Sequence, residues 1–484
     1  MTGTGSVLVV DVGTSGVRAA VVRPDATVVA VHQRPLLPSS PAPGLVEFDP
    51  AALATAALDV ARAALSEGGP VAAVGVTNQR ASTIVWDRAT GEPVGPGLGW
   101  QDLRTVGDCL VLQGEGLSLA PNESATKARH LLDLADPGRE RDLCVGTVDT
   151  WVAWHLSGGR LHVTDPSNAA TTGLLASDGS GWSSKVVDAL DIPAASLPGL
   201  VDTSGPVGEA SALDGAPPIT ALVGDQQASL AGQGCVRRGL TKVTFGTGGM
   251  LDVCLGPDRP PSLRQAAAGS FPIIAWRRDG ELTWGSEGII LAAGTNVEWL
   301  RDDLGIIATA EESDALAASC ETADGVVYVP ALLGLGTPRW DYGARGTLLG
   351  ITRGTGRPQL ARAVLEGVAQ RGADLVEAAE ADTGLSIERL RVDGGMSANA
   401  TFVQALANAT QRPVEASPER EATTLGAGFL AGLDVGTWAG WDDIAASWSP
   451  REVVEPTSVL DRDRWRQAVD RAAAWYPDLS AISF

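Results

Sequence analysis

Two short glycine-rich bends, one in each half of the chain, constrain the fold more than any other feature of this sequence. DVGTSGVR, from Asp11 to Arg18, follows the apolar run SVLVV, and FGTGG, from Phe245 to Gly249, follows GLTKVT. Glycines let a backbone turn tightly and come close to a ligand. The recurrence of strand and glycine-rich bend predicts two related lobes of α/β architecture.

The segments around these bends alternate between strand and helix patterns. SVLVVDVG, VRAAVVRP and VVAVHQRP predict a three-stranded meander. AALATAALDVARAALSEGG predicts a helix with Asp49 as N-cap, Pro50 at the first helical position and Gly68 at the C-terminal end. The chain has 484 residues, more than one core usually supports, so we predict two domains, residues 1–240 and 241–484.

Composition and charge exclude several classes of function. The net charge of −22 argues against nucleic-acid binding, which normally needs a basic face. No segment approaches the ~18 consecutive apolar residues typical of a membrane span, and the N-terminal apolar run is too short for a signal peptide, so a cytoplasmic location is expected. Five scattered cysteines without a CxxC pair predict free buried thiols, not disulfides or a zinc site.

The first bend has the residue types of a phosphate site. Thr14, Ser15 and Gly16 offer hydroxyls and backbone N–H groups that form an anion-binding nest. Arg18 is able to bind a phosphate bidentately. Asp11, at a strand end, suits Mg²⁺, which prefers oxygen ligands. A plain hairpin turn with polar tips is the alternative interpretation.

The later bends suit a nucleotide. FGTGG contains Gly246 and Thr247, with a glycine-rich bulge as the alternative. In VDGGMSAN, Gly395 and its preceding glycine allow a flat base or ribose to approach the backbone, and Asn399 lies where a helix begins. The motif is not GxGxxG, so the dinucleotide fingerprint is not met. A turn leading into an N-capped helix is the alternative here.

Candidate catalytic and substrate residues follow two strands. Asp225 in GDQQ comes directly after the buried strand ITALV, where a carboxylate is well placed as a general base; a helix N-cap is its other interpretation. Arg80 in NQRAS and Trp100 in WQDLRT are types that bind hydroxyls and stack on carbon skeletons. A surface hairpin with ordinary ion pairs is the alternative. The four histidines show no metal-ligand spacing.

Taken in order, these motifs resemble the FGGY carbohydrate kinases, and among them most closely the glycerol kinases. The resemblance covers nearly the whole chain. The blocks that carry it are DVGTSGVR, GVTNQR, WDRATGEPV, WQDLRT, SATK, VDTW, TDPSNAATT, GDQQASL, FGTGG, AGTNVEWLRD, VPALLGLGTPRWD, ARGTLLGITRG, RVDGGMSAN and TTLGAGFLAG.

The resemblance implies a two-lobed actin/hexokinase-like fold, with a ribonuclease-H-like core in each lobe and the active site in the cleft between them. It implies ATP, Mg²⁺ and a small polyol or sugar, and possible homodimers or homotetramers. Asp225 is implied as the base, with Asp11 and Asp225 near the metal. The implied nucleotide residues are Thr14, Ser15, Gly16, Arg18, Gly246, Thr247, Gly294, Glu298, Gly395 and Asn399.

The implied substrate residues include three departures from the glycerol kinase pattern. Arg80, Trp100, Asp225 and Gln226 match it. Ala81 stands where those kinases carry a glutamate that binds a glycerol hydroxyl, and Asn122 and Met250 stand for a tyrosine and a phenylalanine. Loss of a hydrogen-bonding group changes discrimination by about 10⁴, so a longer polyol or a ketose is expected. Glu298 replaces a glutamine.

Three classes of function remain to be separated. A kinase with Asp225 as the base for in-line transfer of a γ-phosphoryl group agrees with all the motifs. A nucleotide-dependent switch would bind ATP without polyol-stimulated ADP release. A non-catalytic sugar sensor would not need Asp11, Thr14, Asp225 and Thr247, all of which are present.

Overall fold

The computed structural model describes residues 5–260, 264–418 and 421–482. Alternating apolar runs form the strands and turn signals separate them. The strands are β1 Val7–Gly13, β2 Gly16–Val22, β3 Val28–Pro35, β4 Glu47–Phe48, β5 Ala73–Asn78, β6 Ile84–Asp87, β7 Gly97–Leu98, β8 Leu143–Gly146, β9 Val163–Thr164, β10 Gly199–Leu200, β11 Ser204–Glu209, β12 Pro218–Gly224, β13 Thr241–Phe245, β14 Gly249–Gly256, β15 Phe271–Arg278, β16 Glu281–Ile290, β17 Val327–Val329, β18 Thr347–Leu349, β19 Leu390–Asp393, β20 Val414–Ala416 and β21 Glu452–Val454.

The helices fall between these strands in both halves of the chain. They are α1 Pro50–Gly68, α2 Val106–Gly114, α3 Ala125–Ala135, α4 Val148–Leu156, α5 Pro166–Ala169, α6 Ser184–Ala189, α7 Asp225–Gly232, α8 Thr295–Glu298, α9 Glu312–Ala318, α10 Arg357–Thr383, α11 Ala400–Thr410, α12 Ala422–Val435, α13 Trp441–Ser447, α14 Arg462–Ala472 and α15 Pro477–Ser480.

Thirteen of the described strands form one sheet, in the order β21-β20-β19-β13-β14-β16-β15-β11-β12-β5-β1-β2-β3. In the first half, β1, β2 and β3 are antiparallel, while β5 and β12 run parallel to β1. In the second half, β13, β14 and β16 are antiparallel, while β19 and β20 run parallel to β13. The same five-strand order therefore occurs twice, as expected for a ribonuclease-H-like core in each lobe.

The two cores are covered by helices on both faces of the sheet. In the first half, α1 and α4 pack against β1, β2 and β5 through a cluster that includes Leu8, Val76 and Trp151. In the second half, α10 and α11 enclose a cluster around Phe245 and Phe402. The α/β prediction is confirmed, and so is the helix at residues 50–68, although its C-cap is Gly69 at φ 81°, one residue beyond the predicted stop.

A helix from the second half of the chain completes the first lobe. α12 packs on β1, β5 and β12 and against α7. A Cβ atom added to Gly426 would lie 1.8 Å from the Ala228 carbonyl oxygen, and one added to Gly232 would lie 1.9 Å from the Ala422 carbonyl oxygen. Because only hydrogen fits at these positions, the two helices cross backbone to backbone.

The remaining structural predictions concern the boundary, the cysteines and the membrane. α7 ends at Gly232 and β13 begins at Thr241, so the proposed boundary at residue 240 lies in the connection between them and stays a prediction. Four cysteines are buried, Cys320 is half-buried, and none forms a disulfide. Across residues 5–260, 264–418 and 421–482, no helix is long and apolar enough to cross a membrane.

We predict that Gly426→Ala destabilises the protein by about 1–3 kcal/mol, because the added methyl group forces α7 and α12 apart. The matched control is Gly114→Ala at the end of α2, where an added Cβ meets nothing within 4 Å. Urea unfolding of both variants measures the difference. Equal stability of the two variants would contradict backbone contact at the helix crossing.

Candidate active site

The first predicted phosphate bend is a hairpin turn between β1 and β2. Gly13 pairs with Gly16, so Thr14 and Ser15 form the turn. A Cβ atom at Gly16 would lie 2.8 Å from the Arg34 carbonyl oxygen, which explains the glycine. The Ser15 side chain is exposed, so the tip of the turn is accessible to a ligand.

The second bend packs against the glycine loops predicted to hold the nucleotide. Gly294 N–H donates to the Gly246 carbonyl oxygen (2.8 Å), and the Thr247 carbonyl oxygen accepts from Ala293 N–H (2.8 Å). A Cβ atom at Gly294 would lie 2.6 Å from the Gly246 oxygen. Gly395 is exposed, and an added Cβ there would meet nothing within 4 Å. A Cβ atom at Gly394, directly before Gly395, would clash with the Phe245 backbone, so the loops of Gly294 and Gly395 both lie against the bend and form a glycine wall with an open surface at Gly395.

Two further predicted nucleotide residues lie at the edge of this wall. Glu298 lies one helical turn after Gly294 and its backbone N–H donates to the Gly294 carbonyl oxygen (3.1 Å), while its side chain is exposed. Asn399 caps α11 by accepting from Phe402 N–H (2.9 Å), and its Nδ2 donates to Ser313 Oγ (3.0 Å). The helix-cap interpretation of Asn399 is therefore confirmed, and its nucleotide role stays a prediction.

Asp11 lies near the carboxyl end of β1 and Asp225 directly follows β12; these two strands flank β5 and both run parallel to it. Burial raises the pKa of Asp11 to about 7; Arg18 opposes this rise in pKa, and the negative charge of Asp225 adds to it. Burial also raises the pKa of Asp225, and the positive charge of Arg80 opposes it. A buried carboxylate whose pKa is raised by burial and by a second carboxylate is a group that a cation would stabilise in its charged form.

Arg80 lies between two carboxylates from different lobes. Its Nη2 donates to Glu287 Oε2 on β16 (2.7 Å), and its Nε lies 3.6 Å from Asp225 Oδ1. Its Nη1 is buried and has no hydrogen-bond partner among the described residues. A buried guanidinium donor without a partner is costly, so a ligand oxygen is the natural acceptor at this position.

The remaining substrate candidates surround the first bend. Trp100 Nε1–H donates to Thr14 Oγ1 (3.1 Å), which joins the predicted stacking surface to the predicted phosphate turn. The carbonyl oxygen of Ala81, a buried residue with φ 62°, accepts from Ser124 Oγ (3.0 Å). Lys127 Nζ donates to the carbonyl oxygens of Trp100 and Asn122 (3.2 Å each). Trp100, Ala81 and Asn122 therefore belong to one hydrogen-bonded frame.

Two predicted residues of the first half, Gln226 and Arg18, contact partners from the second half of the chain, where Met250 also lies. Gln226 N–H donates to Asp225 Oδ1 (2.8 Å), and its Oε1 accepts from Lys242 Nζ (2.8 Å). Arg18 forms an ion pair with Glu421 through Nη1 and donates to Gln33 Oε1 through Nη2 (3.2 Å), while its buried Nε has no hydrogen-bond partner among the described residues. Met250 is half-buried on β14 and pairs with a threonine of β13 in the sheet.

Several buried polar residues that support the site were not assigned a role from the sequence. Ser167 Oγ accepts from Gly224 N–H (2.9 Å), directly before Asp225. Asn168 exchanges side-chain hydrogen bonds with Asn78 (3.0 and 3.2 Å), two residues before Arg80. The blocks SATK and TDPSNAATT contain Lys127, Ser167 and Asn168, but only the tertiary contacts show which residues of the site these side chains support. The other residues missed are Lys127, Lys242, Asp252 and Glu287.

Comparison with known proteins places this geometry in a family. The N-terminal domain model of the FGGY family of carbohydrate kinases matches residues 6–232, and the C-terminal domain model matches residues 242–434. This chain belongs to the FGGY family. Members of the family are phosphotransferases with an alcohol group as acceptor, and this chain is a carbohydrate kinase.

Curated relatives and solved structures resemble this FGGY kinase over nearly its full length. A glycerol kinase of Aromatoleum aromaticum is 42% identical over 97% of this chain and 99% of the relative. One from Deinococcus radiodurans is 39% identical over 98% and 99%. The crystal structure of Plasmodium falciparum glycerol kinase with ADP has a TM-score of 0.89 at 25% identity, covering 99% of each chain. A xylulose kinase from Rhodospirillum rubrum has a TM-score of 0.85 at 25% identity, covering 98% and 99%.

We predict that Lys127→Met reduces the rise of stability with pH. Burial lowers the pKa of Lys127 from 10.5 to about 7. Between these values the unfolded chain binds more protons than the folded chain, so this lysine makes wild-type stability increase as the pH rises through that window. Urea unfolding from pH 7 to pH 10 measures the slope in both proteins.

The control for this prediction is Lys185→Met, which removes an exposed lysine from α6. The slope for that variant is expected to match wild type. If the Lys127→Met slope also matches wild type, the buried ammonium does not titrate as the geometry implies.

Proposed function

We propose that this FGGY kinase transfers the γ-phosphoryl group of ATP to a hydroxyl of a small polyol, with Asp225 as the general base. The observation that carries the proposal is the position of Asp225, at the carboxyl end of β12 and 3.6 Å from Arg80. Arg80 retains a buried Nη1 with no partner in the described part of the chain. A base beside an available donor suits a hydroxyl that must be both held and deprotonated.

For phosphoryl transfer, the protein mainly has to position the reactants and neutralise charge. Phosphoryl transfer passes through a loose transition state with charge on the equatorial oxygens. Asp225 accepts the proton of the attacking hydroxyl, and a pKa raised by burial brings this base closer to the working pH. Arg80 binds the substrate and restrains the Asp225 carboxylate. Trp100 provides a surface for the carbon chain.

The two hairpin turns supply the nucleotide contacts in this proposal. Thr14, Ser15, Gly16 and Arg18 face the phosphates from the first lobe, and Gly246 and Thr247 face them from the second. Arg18 must exchange Glu421 for a phosphate oxygen, both of which are anionic acceptors. The wall of Gly294 and Gly395 receives the adenosine, with Glu298 and Asn399 at its edge. The relative from Plasmodium falciparum was solved with ADP.

The residues present fit a Mg²⁺ ion at Asp11 and Asp225. Both supply carboxylate oxygens, which Mg²⁺ prefers as ligands, and the charge of Asp225 adds to the effect of burial in raising the pKa of Asp11. In the part of the chain that the structure describes, no group of three or more His, Cys, Asp or Glu side chains is arranged to hold a metal. A Mg²⁺ ion would therefore take its other ligands from phosphate oxygens and water, and would neutralise charge on the transferred group.

Glycerol is the first candidate acceptor, since the curated relatives at about 40% identity are named glycerol kinases. A longer polyol or a ketose is the second candidate. It is supported by Ala81, Asn122 and Met250, which replace a charged group and two rings of the glycerol kinase pattern. Homodimer or homotetramer formation stays a prediction from the family resemblance.

The first test is turnover across a panel of acceptors. ADP release with Mg²⁺ and ATP is measured for glycerol, tetritols, pentitols, pentuloses and hexoses. We expect acceptor-stimulated release with at least one of them. Preference for glycerol means that other residues compensate for Ala81, and preference for a longer acceptor supports the altered pocket. ATP binding without stimulation by any acceptor would favour a nucleotide switch, and acceptor binding without turnover would favour a sugar sensor.

We also predict that Asp225→Asn reduces kcat by about 10² or more, because an amide cannot accept the proton. ATP binding, measured by calorimetry, should remain close to that of wild type. Asp59→Asn makes the same chemical change at an exposed ion pair with Arg34 and serves as the control. Near-normal turnover of Asp225→Asn would exclude its role as base.

A further inference from the structure

A row of charged side chains crosses the second-lobe sheet beneath the substrate site. Lys242 on β13 pairs in register with Asp252 on β14, which pairs in register with Glu287 on β16. Directly paired residues on neighbouring strands project from the same face of a sheet. The side chains of Lys242 and Asp252 are 0% exposed, and that of Glu287 is 7% exposed. The row therefore lies in the interior.

Both ends of this row contact residues of the first lobe. At one end, Lys242 Nζ lies 2.7 Å from Asp252 Oδ2 and donates to Gln226 Oε1 (2.8 Å) and Thr244 Oγ1 (3.0 Å). At the other end, Glu287 Oε2 accepts from Arg80 Nη2 (2.7 Å). The row thus connects two of the proposed substrate contacts, one through each end.

Stability does not account for the Lys242–Asp252 pair. A fully buried ion pair loses the hydration of both ions, and apolar residues of similar volume often serve as well or better. Apart from this ion pair, the carboxylate oxygens of Asp252 have no hydrogen-bond partner among the described residues. The ion pair instead holds the charged ammonium of Lys242 in a fixed position, where it faces Gln226.

The ammonium determines which atom of the Gln226 amide faces it. A lysine side chain donates hydrogen bonds and accepts none, so the atom at 2.8 Å is the carbonyl oxygen. With Oε1 bound to Lys242, the NH₂ group of Gln226 is left to donate elsewhere. Arg80 Nη1 is a second donor on this side of the site and has no hydrogen-bond partner among the described residues, and Asp225 is the nearby acceptor.

We propose that Lys242 and Asp252 are positioning residues that hold the Gln226 amide with its NH₂ group toward the acceptor. The inference rests on the proposed function. The site then offers two donors, from Gln226 and Arg80, beside one base. It selects an acceptor in which an oxygen that receives hydrogen bonds stands next to the hydroxyl that is phosphorylated, as in a vicinal diol or an α-hydroxy ketone.

Steady-state kinetics of Asp252→Asn and Lys242→Met test this positioning. With glycerol and with the best acceptor of the panel, we expect the KM for the acceptor to rise about tenfold, while the KM for ATP stays within about twofold of wild type. The double variant Lys242→Met/Asp252→Leu removes both charges together and should show the same change in KM even if a single variant fails to fold.

The matched control is Asp374→Asn, which makes the same change in a different buried ion-pair cluster. Asp374 pairs with Arg371 and Arg462 (2.6 Å each) between α10 and α14. This variant should lose thermal stability without a change in the KM for the acceptor. If Asp252→Asn behaves like Asp374→Asn, the pair is merely structural and the proposal is overturned.

A crystal structure of Lys242→Met provides a test that does not depend on turnover. We expect the Gln226 side chain to rotate away from β13 once the ammonium is absent. An unchanged Gln226 orientation overturns the inference. Absence of turnover by wild type with every acceptor would instead refute the proposed function, so the two failures are distinguishable.

Discussion

The crossing of α7 and α12 at two glycines determines the geometry on which the site depends. α7 begins with Asp225, and α12 begins at Ala422, two residues before Thr424, whose Oγ1 donates to Asp11 (3.5 Å). The absence of side chains at Gly232 and Gly426 brings the two helix backbones into contact. The two carboxylates of the site therefore depend on a contact made several residues away, between segments about 200 residues apart in the sequence.

Buried polar side chains also hold the residues of the site in place. Lys127, Ser167 and Asn168 all bind backbone or amide groups adjacent to the proposed substrate residues. Each of these bonds satisfies a buried group that would otherwise cost free energy. The same interactions fix the ends of β5 and β12, so the polar interior stabilises the first lobe and orients Arg80 and Asp225 together.

Charge in the second lobe has a different role. Glu287 neutralises Arg80, while Asp252 neutralises Lys242, and both carboxylates lie on one face of the sheet. Arg80 and Gln226, the proposed substrate side chains of the first lobe, are therefore oriented by residues of the second. Any movement of one lobe relative to the other would change these contacts, so the orientation of Arg80 and Gln226 depends on the position of the second lobe.

Local sequence patterns predict much of this organisation. The glycines of DVGTSGVR and FGTGG, the N-cap at Asp49 and the strand before Asp225 are determined by backbone sterics and capping, which act over a few residues. The family resemblance follows from the order of such motifs. The sequence alone therefore determined the fold class and the two glycine-rich turns, and it predicts that these turns bind phosphate and that Asp225 is the base. Tertiary structure decided which buried charges meet. The pairing of Lys242 with Asp252 and Gln226, and of Arg80 with Glu287, depends on strand register and helix packing. Arg80 and Glu287 are 207 residues apart in the chain, and no local pattern shows the register that places Lys242 opposite Asp252.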